Sequence, residues 1–216
     1  MLLDSTRTIG STLNTTLGRP KSTSAGVLSS CLLGGAIDMN QWYALRATYS
    51  RELKVQNLLN ERGVRTFIPM MWRKRTVAGK QEKKLVPAVS NLCFVYWTKA
   101  EIDEFIRSFG EATPVHYYWD RTAGRPLTVP EKSMEDFITV ASSLDEDLIY
   151  LTEISDKLRE GQTVEVIEGP FKGVKGKVVR IKKNRRVLVE LPGFLAVTTN
   201  YLNPQSLRLE SEEVGR

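Results

Sequence analysis

Histidine and cysteine are scarce in this chain of 216 residues, which holds one histidine, His116, and two cysteines, Cys31 and Cys93. So few soft ligands do not make a structural zinc site or a metal cluster, and the expectation is a protein with no metal and no other cofactor. Long apolar runs are also missing, so no segment reads as a membrane-spanning helix. A phosphate-binding loop fails at Gly169 to Lys177, because Gly176 falls seven positions after Gly169 and Val178 stands where Ser or Thr is needed. His116 lies among Tyr117, Tyr118 and Trp119, as a strand residue would, and the paired acids Glu212 and Glu213 sit in a tail that holds no fixed geometry. These shortages leave no catalytic constellation, and the chain is expected not to be an enzyme. No internal repeat of solenoid period is visible.

What is present is an ordinary share of hydrophobic residues, 41%, enough for one large or two small cores. Lys and Arg number 31 against 25 acids, giving a formal charge of +6 and a pI near 9.3. That balance favours a polyanionic neighbour while keeping a mixed surface. Residues 1–38 are rich in Ser, Thr, Gly and Leu, carry no sustained period, and read as a disordered extension. Within it Leu28-Ser29-Ser30-Cys31 superficially matches a lipoprotein cleavage box, but Arg19-Pro20-Lys21-Ser22 interrupts the apolar segment such a signal needs. Met39 is the alternative physiological start.

From Met39 onward the periodicity changes. Trp42 to Tyr49 alternates as a strand, and Arg51 to Arg62 gathers Leu53, Val55, Leu58 and Leu59 on one side of a helix that Gly63 stops. Val64 to Pro69 is extended. Met71 to Lys84 is strongly basic around Ala78-Gly79 and reads as an exposed hairpin or long loop. Leu92 to Trp97 is apolar on both faces, as in a covered central strand. A helix over Lys99 to Phe109, a strand over Val115 to Trp119, a turn at Gly124-Arg125-Pro126 and a helix opened by Pro130 complete the region. The order predicts an α+β domain over 39–146, with helices on a mostly antiparallel sheet, followed by a polar connection over 147–157.

The last region, 158–210, with a tail at 211–216, reads as a small β-barrel. Val164 and Val166 alternate with polar residues, Glu168-Gly169-Pro170 breaks the run, Val178 to Ile181 resumes it, Lys183-Asn184 turns it, and Val187, Val189 and Leu191 alternate again. Gly169, Gly173 and Gly176 permit positive φ or close backbone approach. The pattern V-x-V-x-x-G-P-F-x-G-x-x-G-x-V-x-x-I resembles the KOW motif at the C-terminus of NusG-type transcription elongation factors. Trp42-Tyr43-Ala44-Leu45-Arg46 followed by a helix, and Phe67-Ile68-Pro69-Met70 after it, are similar to the opening of the NusG N-terminal (NGN) domain. Gly124 to Pro130 and Leu85 to Asn91 look like the specialised UpxY antitermination paralogues.

The resemblance implies an NGN domain followed by an SH3-like KOW barrel, in a cytoplasmic, monomeric factor that binds bacterial RNA polymerase and promotes processive transcription of particular operons. Trp42, Ala44, Arg46, Leu92 and Phe94 would face the clamp helices of the polymerase, although Arg46 stands where some paralogues carry an apolar residue. A strand has two faces, so Trp42, Phe94 and Trp97 are equally well plain core residues. Arg73, Lys74, Arg75, Lys80, Lys83 and Lys84 would point toward DNA or RNA or the opposite wall of the polymerase cleft, unless they form only a solvated loop. Phe194 would engage a second partner, a ribosomal protein or the termination factor Rho, or else fold back on its own barrel. Lys182 to Arg186 is a further charged hairpin tip. The alternative reading is a general RNA- or ribosome-binding KOW protein. A barrel refolded into helices that mask the first domain is disfavoured by the β-pattern of 161–191.

Overall fold

Alternation that buries both faces of a strand demands two covering layers, and the N-terminal sheet has them. The computed structural model describes residues 39–210 apart from 78–79, 112, 153–160, 182 and 192. The extension read at 1–38, with Cys31, the tail at 211–216 and Lys182 therefore lie outside the described residues. Strands β1 (Gln41–Ala47), β2 (Arg65–Phe67), β5 (Leu92–Trp97) and β6 (Val115–Tyr117) run in the order β2-β5-β1-β6, every pairing antiparallel, and β9 (Thr128–Val129) also pairs with β1. The stretch expected to be a covered central strand is β5, lying between β2 and β1.

Side chains alternate across these strands, so the sheet sorts its own residues into two cores. On one face Tyr43, Leu45, Cys93 and Val95 meet helices α1 (Glu52–Glu61) and α2 (Lys99–Arg107) through Val55, Leu59, Ile102 and Phe105. Helix α1 ends where Gly63 takes φ +74°, and α2 begins at a capping box in which Thr98 and Glu101 satisfy each other's backbone N–H. On the other face Trp42, Ala44, Leu92 and Phe94 meet helix α3 (Glu131–Ala141), which presents Met134, Phe137, Val140 and Ala141.

Between β2 and β5 the chain leaves the sheet as a separate two-stranded ribbon, β3 (Met70–Val77) and β4 (Lys80–Pro87), confirming the expected hairpin. A second small ribbon joins β7 (Trp119–Asp120) to β8 (Arg125–Pro126).

The C-terminal sheet has the order β10-β14-β13-β12-β11-β15: Ile149–Leu151, Leu195–Thr198, Asn184–Leu191, Lys175–Ile181, Thr163–Val166 and Leu207–Leu209. All its pairings are antiparallel, and they trace a path of six strands. Strand β10 falls in the stretch read as a polar connection, because Ile149-Tyr150-Leu151 is too short a run to stand out as a strand after Asp145-Glu146-Asp147. The glycines divide by role. Gly169 and Gly173 take φ +85° and +87° in the turn after β11, whereas Gly176 is needed for space: a Cβ there would stand 2.5 Å from the Leu188 carbonyl oxygen and 2.7 Å from Val187 Cγ1.

Gly176→Ala is accordingly expected to destabilise the protein by about 1–3 kcal/mol through overpacking against β13, read as a lower midpoint in urea unfolding. An unchanged midpoint would show that β12 and β13 do not approach as closely as described.

Candidate docking face and basic ribbon

The residues expected to face a partner from the first sheet are brought together, but not on the surface. Trp42, Ala44, Leu92 and Phe94 are all fully buried, and only Arg46, on the same side of β1, is exposed. Their register explains the grouping: Ala44 stands opposite Phe94 and Arg46 opposite Leu92, so the four apolar side chains share one face. What covers them is α3 together with the C-terminal sheet. Phe137 lies edge-on to Phe94 at 6.1 Å and to Phe67 at 6.2 Å, and its other neighbour is Tyr150 of β10 at 6.4 Å. One hydrophobic cluster runs from Trp42 and Phe94 through α3 to Leu191, Leu195 and Val197.

Phe194, in the loop between β13 and β14, is half-buried. Its ring meets Phe94 at 6.2 Å and Tyr118 at 4.9 Å, both edge-on. It closes the edge of the face that the first sheet presents, packed against the cluster that also holds Leu191 and Leu195 of its own sheet. The Trp42 ring lies 5.3 Å from that of Tyr96, tilted by 49°, with the Arg65 guanidinium 5.1 Å from its ring, yet its indole Nε1 is buried with no acceptor.

Polar bonds tie the connection between the two regions to both. Arg186, nearly buried, donates through Nη1 to the carbonyls of Asp147 at 2.6 Å and Thr199 at 2.8 Å. Asn200 Nδ2 donates to Asp145 at 2.6 Å, Lys83 pairs with Glu146, and the Tyr150 hydroxyl donates to the Met70 carbonyl at 3.1 Å. From the sequence Phe137 reads only as part of the buried stripe of the helix after Pro130, as it is in α3, and neither Tyr118 nor Tyr150 reads as a site residue. The contacts they make join residues far apart in the chain, and Tyr150 sits shortly after an acidic run, in a stretch that reads as linker.

The six basic residues assigned to the hairpin, Arg73, Lys74, Arg75, Lys80, Lys83 and Lys84, are all exposed on the β3–β4 ribbon, with Trp72 40% exposed near its root. His116 is exposed on β6 opposite Arg46. Among the described residues no group of three or more His, Cys, Asp or Glu is placed to hold a metal ion, and no helix is long and apolar enough to cross a membrane. Burial, with the nearby Glu52 carboxylate, pushes the Cys93 thiol up to about 12, so it is a core residue rather than a nucleophile. Exposed aromatics that the sequence did not single out are Tyr49, Trp119 and Tyr201. Tyr49 and Ser50 both take positive φ in the turn after β1, where the Asn91 side chain accepts the Ser50 N–H at 2.9 Å.

Desolvation pushes the Tyr150 hydroxyl up to about 12. An ordinary tyrosine ionises near pH 10, so the folded state holds this proton over a range in which the unfolded chain releases it. Its contribution is fully present below about pH 10 and is lost as the pH rises through the folded value. Tyr150→Phe should cost about 1 kcal/mol near neutrality through the lost bond to Met70, and the gap to the unsubstituted protein should narrow as unfolding is measured from about pH 10 to about pH 12. A pH-independent gap would show that the hydroxyl is not held in this bond.

No curated protein matches the chain. Two family models do: "Transcription termination factor nusG" over residues 40–138 and "KOW motif" over residues 160–190. The first takes in the N-terminal sheet, the basic ribbon, α1, α2 and most of α3, and the second takes in β11, β12 and most of β13. With an NGN domain bearing the covered apolar face and a KOW motif in the sheet that helps to cover it, the chain belongs to the NusG-type transcription factors.

Proposed function

We propose that the protein is a bacterial transcription elongation and antitermination factor of the UpxY type, which binds RNA polymerase and promotes processive transcription of particular operons. In this reading it acts as a cytoplasmic monomer, and its C-terminal sheet is the SH3-like KOW barrel. The observation that carries the proposal is the apolar face of Trp42, Ala44, Leu92 and Phe94, rimmed by Arg46, within the region matched to NusG. Such a face suits the clamp helices of the polymerase, which would lay aromatic and aliphatic side chains into it as a helix lies in a groove. A few buried anchors would supply most of the affinity. The unpaired Nε1 of Trp42 adds a donor that an acceptor on a docked helix would satisfy.

Docking requires the KOW region to leave and α3 to shift from the face, since Phe194 and Phe137 both pack on Phe94. Leaving frees Phe194 as well, and the same movement that uncovers the polymerase face releases the aromatic assigned to a ribosomal protein or Rho. The β3–β4 ribbon stands outside the covered face and would reach the nucleic acid or the opposite wall of the cleft without any such movement.

Full-length protein should bind purified bacterial core polymerase, survive moderate salt, and raise the yield of full-length transcript by shortening pauses. Phe194→Ala removes two edge-on aromatic contacts, each worth about 0.5–1.5 kcal/mol. By raising the open fraction of a closed protein it should tighten polymerase binding about 5-fold or more. Absence of binding by either protein, with folding verified by circular dichroism, would overturn the proposal in favour of a general RNA- or ribosome-binding KOW protein.

A further inference from the structure

We propose that the β3–β4 ribbon is a one-sided phosphate-binding arm, in which Arg73, Arg75, Lys80 and Lys84 contact the backbone of a nucleic acid while Lys74 and Lys83 do not. This deepens the assignment of the ribbon above, and it depends on that reading only for the presence of nucleic acid nearby. Residues 70–87 hold six basic residues and one acid, Glu82, a net of +5 against +6 for the entire chain. Nearly all the excess charge is therefore concentrated on one exposed element, whereas the remainder of the protein is close to neutral.

The register divides that charge between two faces. Directly opposed residues project to the same side of an antiparallel pair, and neighbours along a strand project to opposite sides. Trp72 with Leu85, Lys74 with Lys83, and Thr76 with Gln81 make one face; Arg73 with Lys84, Arg75 with Glu82, and Lys80 make the other. The first face is turned to the connection between the two regions, because Lys83 pairs with Glu146 there. The root is pinned by the Tyr150 hydroxyl on the Met70 carbonyl and by the Ala88 N–H on the Pro69 carbonyl at 2.8 Å.

The second face points away from that connection. It sets Arg73 directly against Lys84, a repulsive pair, and among the described residues no carboxylate lies within ion-pair distance of Arg73, Arg75, Lys80 or Lys84. A polyanion relieves that repulsion. Arg73 and Arg75, two residues apart on one strand, stand about 6.8 Å apart along it. Guanidinium groups at that spacing suit neighbouring phosphates along one backbone, each able to take two hydrogen bonds. Phosphate contacts of this kind hold the backbone and carry no sequence information directly.

The test measures binding of the full-length protein to a short labelled DNA duplex and to the matching single strand over a range of salt, with no polymerase present. Two variants remove the same charge from the same ribbon: Arg73→Ala with Lys84→Ala, and Lys74→Ala with Lys83→Ala. The first pair should reduce the slope of log K against log salt by about 1.8 on duplex or about 1.4 on single strand, and the better-bound form identifies which backbone is held. The second pair should change the slope by less than about 0.5. Equal losses from both pairs would reduce the effect to total charge and overturn the one-sided arm. It would also be overturned by no loss from either pair, or by no binding of either DNA by the unsubstituted protein at low salt. Because polymerase is absent from the DNA measurement, failure here is separate from failure of clamp docking.

Discussion

Burial of the second face of the N-terminal sheet is the constraint from which the rest of the arrangement follows. Strands β1 and β5 are apolar on both sides, and α1 and α2 cover only one of them. An uncovered face bearing Trp42, Leu92 and Phe94 would leave large aromatic and aliphatic areas in water, at roughly 25 cal/mol per Å². The protein resolves this with α3 and the C-terminal sheet, and Phe137 joins the layers by touching Phe94 on one side and Tyr150 on the other. The NGN region and the KOW region consequently share a core.

That shared core has a different character from the core beneath α1 and α2. The latter is built within the N-terminal region alone, from residues between Tyr43 and Val115, and its helices end in local devices, a capping box and a glycine at positive φ. The former closes only when a region beyond the connection folds back. Arg186, Asn200 and Tyr150 hold the connection with single hydrogen bonds, each of the modest net worth such bonds have in water. A contact of this kind is one a competing apolar surface can displace, which makes the covered face compatible with a docking role. The basic ribbon stands outside this competition, since its cations project from a two-stranded element outside both cores.

Much of this was legible in the residues. The alternation of β1 and β5, the stripes of α1 to α3, and the basic run of the ribbon are local signals, and each element stands close to where its period placed it. The KOW pattern was legible for the same reason, because glycines at Gly169, Gly173 and Gly176 answer to backbone needs that no other residue meets as well. Strand β10 was not, since three residues carry too little period to outweigh an acidic neighbour. Nor was the site's concealment: a sequence shows that Trp42 and Phe94 are apolar, but not whether water, a helix or another sheet lies above them.

The sequence by itself therefore determined the two regions, their family and the identity of the charged ribbon, because these depend on spacing along the chain. Only the tertiary structure decided that Trp42, Ala44, Leu92 and Phe94 lie beneath α3 and the KOW sheet, that Phe194 rests on Phe94 and Tyr118, and that Lys83 is turned to Glu146 while Arg73 and Lys84 are not. Those outcomes depend on which surfaces meet across separations of tens of residues, and that is settled by the burial of apolar area and the pairing of charge over the whole fold rather than by any local pattern.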